Sequence, residues 1–175
     1  LIPSLNLLSN EIQSKSKEFE SVIKTGRTHL QDATPITLGQ EFYGYYGQIS
    51  NAIKKLNDSI NWLSEVALGG TAVGTGINTH KDFSKMVCKE LSTELGLKIN
   101  ETENHFQAQS TIDAISATSG IIKSIVLSIM KICNDIRWMG SGPRGGFGEI
   151  NLPSVAPGSS IMPGKVNPVI AESFL

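Results

Sequence analysis

Leu5, Leu8, Ile12, Phe19 and Val22 follow alternating three- and four-residue steps, with Lys15 the one polar interruption. That spacing lines one face of a helix packed along its length, and it predicts a first helix running to about Ile23. The next twelve residues, 24–35, lose the helical period and carry Gly26 and Pro35, which predicts short extended pieces and a β-hairpin near residues 24–36. Thr37-Leu38-Gly39-Gln40 then has the form of a capping box, a hydroxyl at the cap and a Gln three residues on. From it the pattern Leu38, Phe42, Tyr45, Ile49, Ala52, Leu56, Ile60, Leu63 predicts a helix of many turns, the kind that long bundles use.

A glycine-rich stretch, 69–79, ends that helix. Phe83, Met86, Val87 and Leu91 mark a shorter amphipathic helix from about Asp82 to Leu95, with Gly96 as its stop. After a polar connection at 100–104, one long helix is predicted from about Phe106 to Met139. Its seam is Ile112, Ile115, Ser119, Ile122, Val126, Ile129, Cys133 and Ile136, and Ala114, Ala117, Ile121 and Leu127 form a second apolar face. A helix apolar on two sides belongs at the centre of a bundle. Residues 140–145 match GxGxxG, but a long helix precedes them where a dinucleotide fold requires a strand, so the match is set aside. The fold class read from the pattern is all-α, a long-helix bundle with irregular Gly-rich loops.

Composition narrows the function. A formal net charge of −1 over 175 residues leaves no basic field for nucleic acid and points to small metabolites. Cys88 and Cys133 show no CxxC and no metal-ligand spacing, which fits a reducing compartment. The most apolar run, 121–132, is interrupted by Lys123 and Lys131 and is too short to span a bilayer, so it reads as a buried helix.

Chemistry concentrates in Gly158-Ser159-Ser160-Ile161-Met162-Pro163-Gly164-Lys165-Val166-Asn167-Pro168. Two glycines allow backbone angles closed to other residues while two prolines limit that freedom. Lys165 offers a positive charge, Asn167 directed hydrogen bonds, and Ser159 and Ser160 hydroxyls, a set suited to a small carboxylate. The Asn167-Pro168 pair also reads as a helix start, an N-cap followed by proline at the first helical position, and both readings can hold. The chain has three histidines, His29, His80 and His105. His29 stands in the non-helical segment beside Arg27, Thr28 and Asp32; unaided, it reads more readily as structural than as catalytic.

The 158–168 loop resembles the signature of the fumarase/aspartase superfamily, whose members add to or eliminate across fumarate-like double bonds. The stretches TGRTHLQDATP at 25–35, GGTAVGTGINT at 69–79 and ETENHFQAQ at 101–109 are similar to the class II fumarase versions of family segments. Aspartases usually carry Gln where this chain has His29. The resemblance implies reversible anti hydration of fumarate to L-malate, as in the tricarboxylic acid cycle, with neither a metal nor an organic cofactor. It implies Ser159 as the base that takes the carbon proton, and His29, oriented by Glu172, acting at the hydroxyl or attacking water. Thr28, Lys165, Asn167 and Ser160 would bind substrate, and His105 would serve only surface or packing.

It further implies a cytoplasmic enzyme, or one of the mitochondrial matrix, that is a homotetramer with sites shared between subunits and no nucleic-acid or membrane partner. On this reading the 175 residues are the central helical-bundle part of a longer enzyme, lacking an N-terminal segment and a C-terminal domain, and inactive alone. The alternatives are an aspartate ammonia-lyase, a relative acting on larger succinyl substrates, and a non-catalytic structural or binding scaffold on the same helices.

Overall fold

The computed structural model describes residues 1–156, 158 and 160–175. Among them the chain runs α1 (Ile2–Glu18), β1 (Ile23–Thr28), β2 (Gln31–Thr37), α2 (Leu38–Leu63), β3 (Glu65–Val66), α3 (Phe83–Leu95), β4 (Asn100–Glu101), α4 (His105–Ser110), α5 (Asp113–Met139) and α6 (Val169–Phe174). It divides into two compact units. The first comprises Leu1, Pro3–Ser50 and Lys123–Leu175; the second comprises Ile2 and Asn51–Ile122.

In the first unit α1 stops at Glu18, five residues before the periodicity suggested, and the chain turns there, Val22 N–H donating to Phe19 O at 3.1 Å. Gly39 N–H donates to Phe19 O at 3.0 Å and Leu38 N–H to Val22 O at 2.8 Å. The end of one helix and the start of the next thus satisfy each other's orphan backbone groups. The capping box at Thr37 and Gln40 is present in full: Gln40 N–H donates to Thr37 Oγ1 at 3.1 Å, and Thr37 N–H to Gln40 Oε1 at 3.0 Å. Ser16, buried on α1, donates its hydroxyl to Gly39 O at 2.8 Å. Phe19 packs edge-on against Phe42 at 5.2 Å between ring centroids, and Phe42 against Tyr45 at 5.4 Å.

Strands β1 and β2 pair antiparallel, with Thr28 opposite Gln31 and Ile23 opposite Thr37, and the register shifts between Thr25 and Arg27. The expected hairpin is therefore real.

Along α2 the buried stripe is Leu38, Phe42, Tyr45, Ile49, Ala52 and Leu56, as the spacing predicts, but it continues to Ser59. Ile60 and Leu63 are exposed. The alternation of four and three steps reaches Ser59 after Leu56, and its hydroxyl, bonded to Leu56 O at 2.6 Å, is satisfied there.

The single long helix expected from Phe106 to Met139 is instead two. Thr111 is extended (φ −133°, ψ 163°), and the Ser110 and Thr111 hydroxyls close the last turn of α4 by bonding Gln107 O at 3.0 and 3.4 Å. Asp113 then opens α5 with a negative charge in its first turn. The seam that α5 buries is Thr118, Ile125, Ile132 and Met139, every seventh residue. The seam read from the sequence is not the buried one: Ile112, Ile115, Ile122 and Val126 are exposed, as is Leu127 of the second face. Taken whole, the helix is longer than its 121–132 run, and length and composition alone would let it cross a bilayer.

In the second unit β3 and β4 pair parallel, Glu65 with Asn100 and Val66 with Glu101, and α3 ends at Gly96 in the left-handed conformation, φ 63°. The glycine-rich stretch lies against α4. A Cβ on Gly70 would stand 2.7 Å from Gln109 Oε1, whose amide donates to Thr71 O at 2.8 Å. His105 is a packing residue, with Nε2 3.0 Å from Leu68 O and 3.5 Å from Glu101 Oε1.

Contact at Gly39 leaves no room for a side chain, since a Cβ there would lie 2.5 Å from Ser16 O and 2.7 Å from the Cα of Glu20, both backbone. Gly39→Ala should lower unfolding free energy by about 1–3 kcal/mol in denaturant titration. Gly47→Ala, whose Cβ would meet nothing within 4 Å on the same helix, should leave stability unchanged or raise it by up to about 1 kcal/mol.

Candidate active site

Two surface features of the first unit carry the residues singled out above. One is the tip of the β1–β2 hairpin. His29 (φ 53°) and Leu30 (φ 62°) both adopt positive φ, the backbone of a two-residue type I′ turn. Neither is glycine, and non-glycine residues enter this region at a cost of about 1 kcal/mol or more. Thr28 and His29 are exposed, and among the described residues the His29 side chain has no hydrogen bond or ion pair.

The second feature is the 158–168 loop. Ser159, expected as the base, lies outside the described residues. Around it the loop folds back on itself: Gly158 packs so closely that a Cβ would stand 2.5 Å from Lys165 O. Met162 to Lys165 forms a turn closed by Lys165 N–H donating to Met162 O at 3.2 Å, with Pro163 second and Gly164 (φ 82°) third, the form of a type II turn. Pro168 (φ −77°, ψ 52°) sits inside an inverse γ-turn, with Val169 N–H donating to Asn167 O at 2.9 Å.

This corrects the helix-start reading of Asn167-Pro168. Helix α6 begins at Val169 with Pro168 in the cap position, and no side chain caps it. The Asn167 carboxamide is left for other partners. Ser160, Lys165, Asn167 and Glu172 are all exposed. No hydrogen bond or ion pair among the described residues joins them to Thr28 or His29. Glu172 lies in the first turn of α6, where the helix dipole favours its charge.

Beneath the hairpin is a charge cluster that periodicity could not show. Glu149 accepts from Lys24 Nζ at 2.8 Å and from Arg27 through both Nη atoms, Nη2 at 2.9 Å. Lys24 also pairs with Glu41 of α2. Tyr45 donates its hydroxyl to Asp135 at 3.0 Å and lies 3.2 Å from Glu41 Oε1, while Lys131 pairs with Asp135 and sits 4.7 Å over the Tyr45 ring. Burial and the two carboxylates hold the Tyr45 phenol far above its ordinary value, so it stays a donor. Burial pushes the Glu149 carboxyl up, but hydrogen bonds from Arg27 and Lys24 outweigh it and leave its pKa below the ordinary 4.5. The one sequence hint was that Glu149 and Arg144 are the only charged residues between Gly140 and Gly158.

An apolar cleft of about 660 Å³ lies beside the second feature, lined by Ile12, Tyr45, Ile132, Leu152, Asn167 and Ile170 among others. Among the described residues no cluster of His, Cys, Asp and Glu is arranged to hold a metal ion.

Residues 1–175 match a family model described as lyase. The chain is 50% identical over 174 residues to the class II fumarate hydratase of Helicobacter pylori, covering 99% of this chain and 38% of that protein. It is 51% identical to the mitochondrial fumarate hydratase of Saccharomyces cerevisiae, covering 99% of this chain and 36% of that protein. Among solved structures, the class II fumarase of Schistosoma mansoni superposes with a TM-score of 0.95 at 39% identity, covering 99% of this chain and 39% of that one. The native form of a fumarate lyase:delta crystallin from Brucella melitensis superposes with a TM-score of 0.89 at 43% identity, covering 99% and 39%. The chain therefore spans a little over a third of the length of the relatives it matches.

Because the native pKa of Glu149 is depressed, its contribution to stability is present in full above the unfolded value near 4.5 and is lost as pH falls through the lower native value. Wild-type unfolding free energy should fall more steeply below pH 4.5 than that of Glu149→Gln, and the two curves should converge in acid; denaturant titrations between pH 3 and 6 measure the difference.

Proposed function

The chain belongs to the lyase family whose model it matches from end to end, and on that premise we propose that it is part of a class II fumarate hydratase. The reading is carried by identity of about half of all positions, spread over 99% of the chain, to proteins of that name. Coverage of 36–38% of those relatives supports its being one portion of a longer polypeptide.

The chemistry assigned to the two surface features is anti addition of water. Removing a proton from the carbon beside a carboxylate requires that the resulting negative charge spread into that carboxylate and be held there. Lys165 supplies the fixed charge, and Asn167, with its carboxamide not used as a cap, supplies directed donors; Ser160 adds a hydroxyl. Ser159 takes the carbon proton. A serine is a weak base in water, so the loop must close and exclude solvent around it. His29, oriented by Glu172, handles the proton of the hydroxyl or attacking water at the other carbon, with Thr28 on the substrate.

In one chain all the described members of this set are exposed, and no hydrogen bond or ion pair among them joins the two features. That supports a site completed by other subunits, in a homotetramer assembled through long helices. The exposed apolar residues of α5, Ile115, Ile122 and Val126 among them, fit such an interface. The proposed compartment is the cytoplasm, or the mitochondrial matrix in a eukaryote.

Ultraviolet absorbance of fumarate tests the reading in the full-length protein. Fumarate should appear from L-malate and not from L-aspartate. His29→Asn and Ser159→Ala should each lower kcat roughly 10²–10⁴-fold, the usual worth of a general acid or base. Fumarate from aspartate would transfer the assignment to an ammonia-lyase, and a folded tetramer inert to both would favour another succinyl substrate or a scaffold.

A further inference from the structure

Glu149 touches none of the groups given a chemical role above, yet it is held from both sides. Its N–H donates to Met139 O at 2.8 Å, at the end of α5, and Ile150 N–H reaches the same carbonyl at 3.3 Å. Its carboxylate grips β1 at two places, Lys24 and Arg27, the second directly before Thr28 and His29. The Arg27 guanidinium also lies 4.5 Å over the Phe147 ring, which packs at 5.6 Å against Trp138. Lys24 and Arg27 are three residues apart, so plain strand alternation would face them oppositely. The irregularity between Thr25 and Arg27 lets both converge on one carboxylate.

The hairpin tip has no comparable anchorage of its own. Its two residues are in a strained backbone region, and the His29 side chain has no hydrogen bond or ion pair among the described residues. A turn of that kind keeps its place only when the surrounding structure over-determines it. Here the determination comes from below, through β1. Glu149 also stands nine residues before Gly158, so the same carboxylate ties the strand carrying His29 to the segment that runs into the 158–168 loop.

We propose that Glu149 is a positioning residue, which acts through His29 by clamping strand β1 at Lys24 and Arg27 against the segment leading to the 158–168 loop. The inference deepens the fumarate hydratase reading and rests on its assignment of His29. The clamp is electrostatic and two-pointed, so a neutral isostere of the same size fills the space and loses the grip.

In the full-length protein, Glu149→Gln should lower kcat for malate dehydration about 10- to 100-fold with KM changed less than twofold, the signature of misplaced groups rather than lost binding. Introduced into His29→Asn, it should cost less than a further twofold, because the residue it positions is gone. Arg27→Lys, which keeps the charge but gives up the fork and the ring contact, should show the same pattern at smaller size and guards against a misfolded first variant. Hydrogen exchange should quicken at residues 23–37 and stay unchanged in α2. Wild-type kcat in Glu149→Gln, losses that multiply with those of His29→Asn, or exchange that is unchanged or raised throughout would overturn the proposal. A wild-type protein that turns over no malate would sink the hydratase reading and, with it, the role for His29, while exchange would still decide whether Glu149 holds the hairpin.

Discussion

Six charged groups in the first unit, Lys24, Arg27, Glu41, Lys131, Asp135 and Glu149, are drawn close together at the foot of the hairpin, and the buried ones tolerate that position only as a set. Lys24 is 9% exposed and its partners about 20%. Charges this far from solvent lose much of their hydration, and each one left without a partner would be strongly destabilising. Satisfying them therefore dictates where β1, the start of α2, the last turns of α5 and the Gly-rich segment after it can lie. Elements as far apart in sequence as Arg27 and Glu149 are held in one arrangement by complementary charge rather than by apolar packing alone.

Around that cluster the helices follow a simpler logic. Gly39 lets the end of α1 and the start of α2 approach until their backbones bond directly, and the capping box at Thr37 and Gln40 fixes where α2 begins. α5 carries more apolar surface than this chain covers: one line of residues at seven-residue intervals is buried and its neighbours are open. An apolar helix face left open to water is costly, and assembly with further helices relieves that cost. The proposed tetramer and the proposed sharing of sites between subunits are two consequences of one surplus of hydrophobic surface.

The hairpin tip and the 158–168 loop use opposite strategies for placing the residues proposed to be reactive. The loop builds its shape locally, from the Met162–Lys165 turn, the γ-turn at Pro168 and the closure of Gly158 on Lys165. The hairpin tip is short and strained and takes its position from strands gripped elsewhere.

What the amino-acid sequence determined by itself is whatever depends on neighbours within about one helical turn. The capping box, the stop of α3 at Gly96, the stripe from Leu38 to Leu56 and the hairpin between residues 23 and 37 are legible because hydrogen bonds and periodicity over three or four residues encode them. Family resemblance of short stretches singled out His29, Lys165 and Asn167 as candidates, because a motif is carried by residues close in the chain. Tertiary structure alone decided which of α5's apolar faces is buried, because a helix with several such faces does not specify which one a neighbour will cover. It also decided that α1 ends early, the residues just past it turning to bond the start of α2, and that Asn167 does not cap α6, since the turn at Pro168 moves the helix start to Val169. The convergence of Lys24, Arg27 and Glu149 was illegible for the plainest reason: an ion pair across 122 residues leaves no periodic trace, and each member alone looks like an ordinary surface charge.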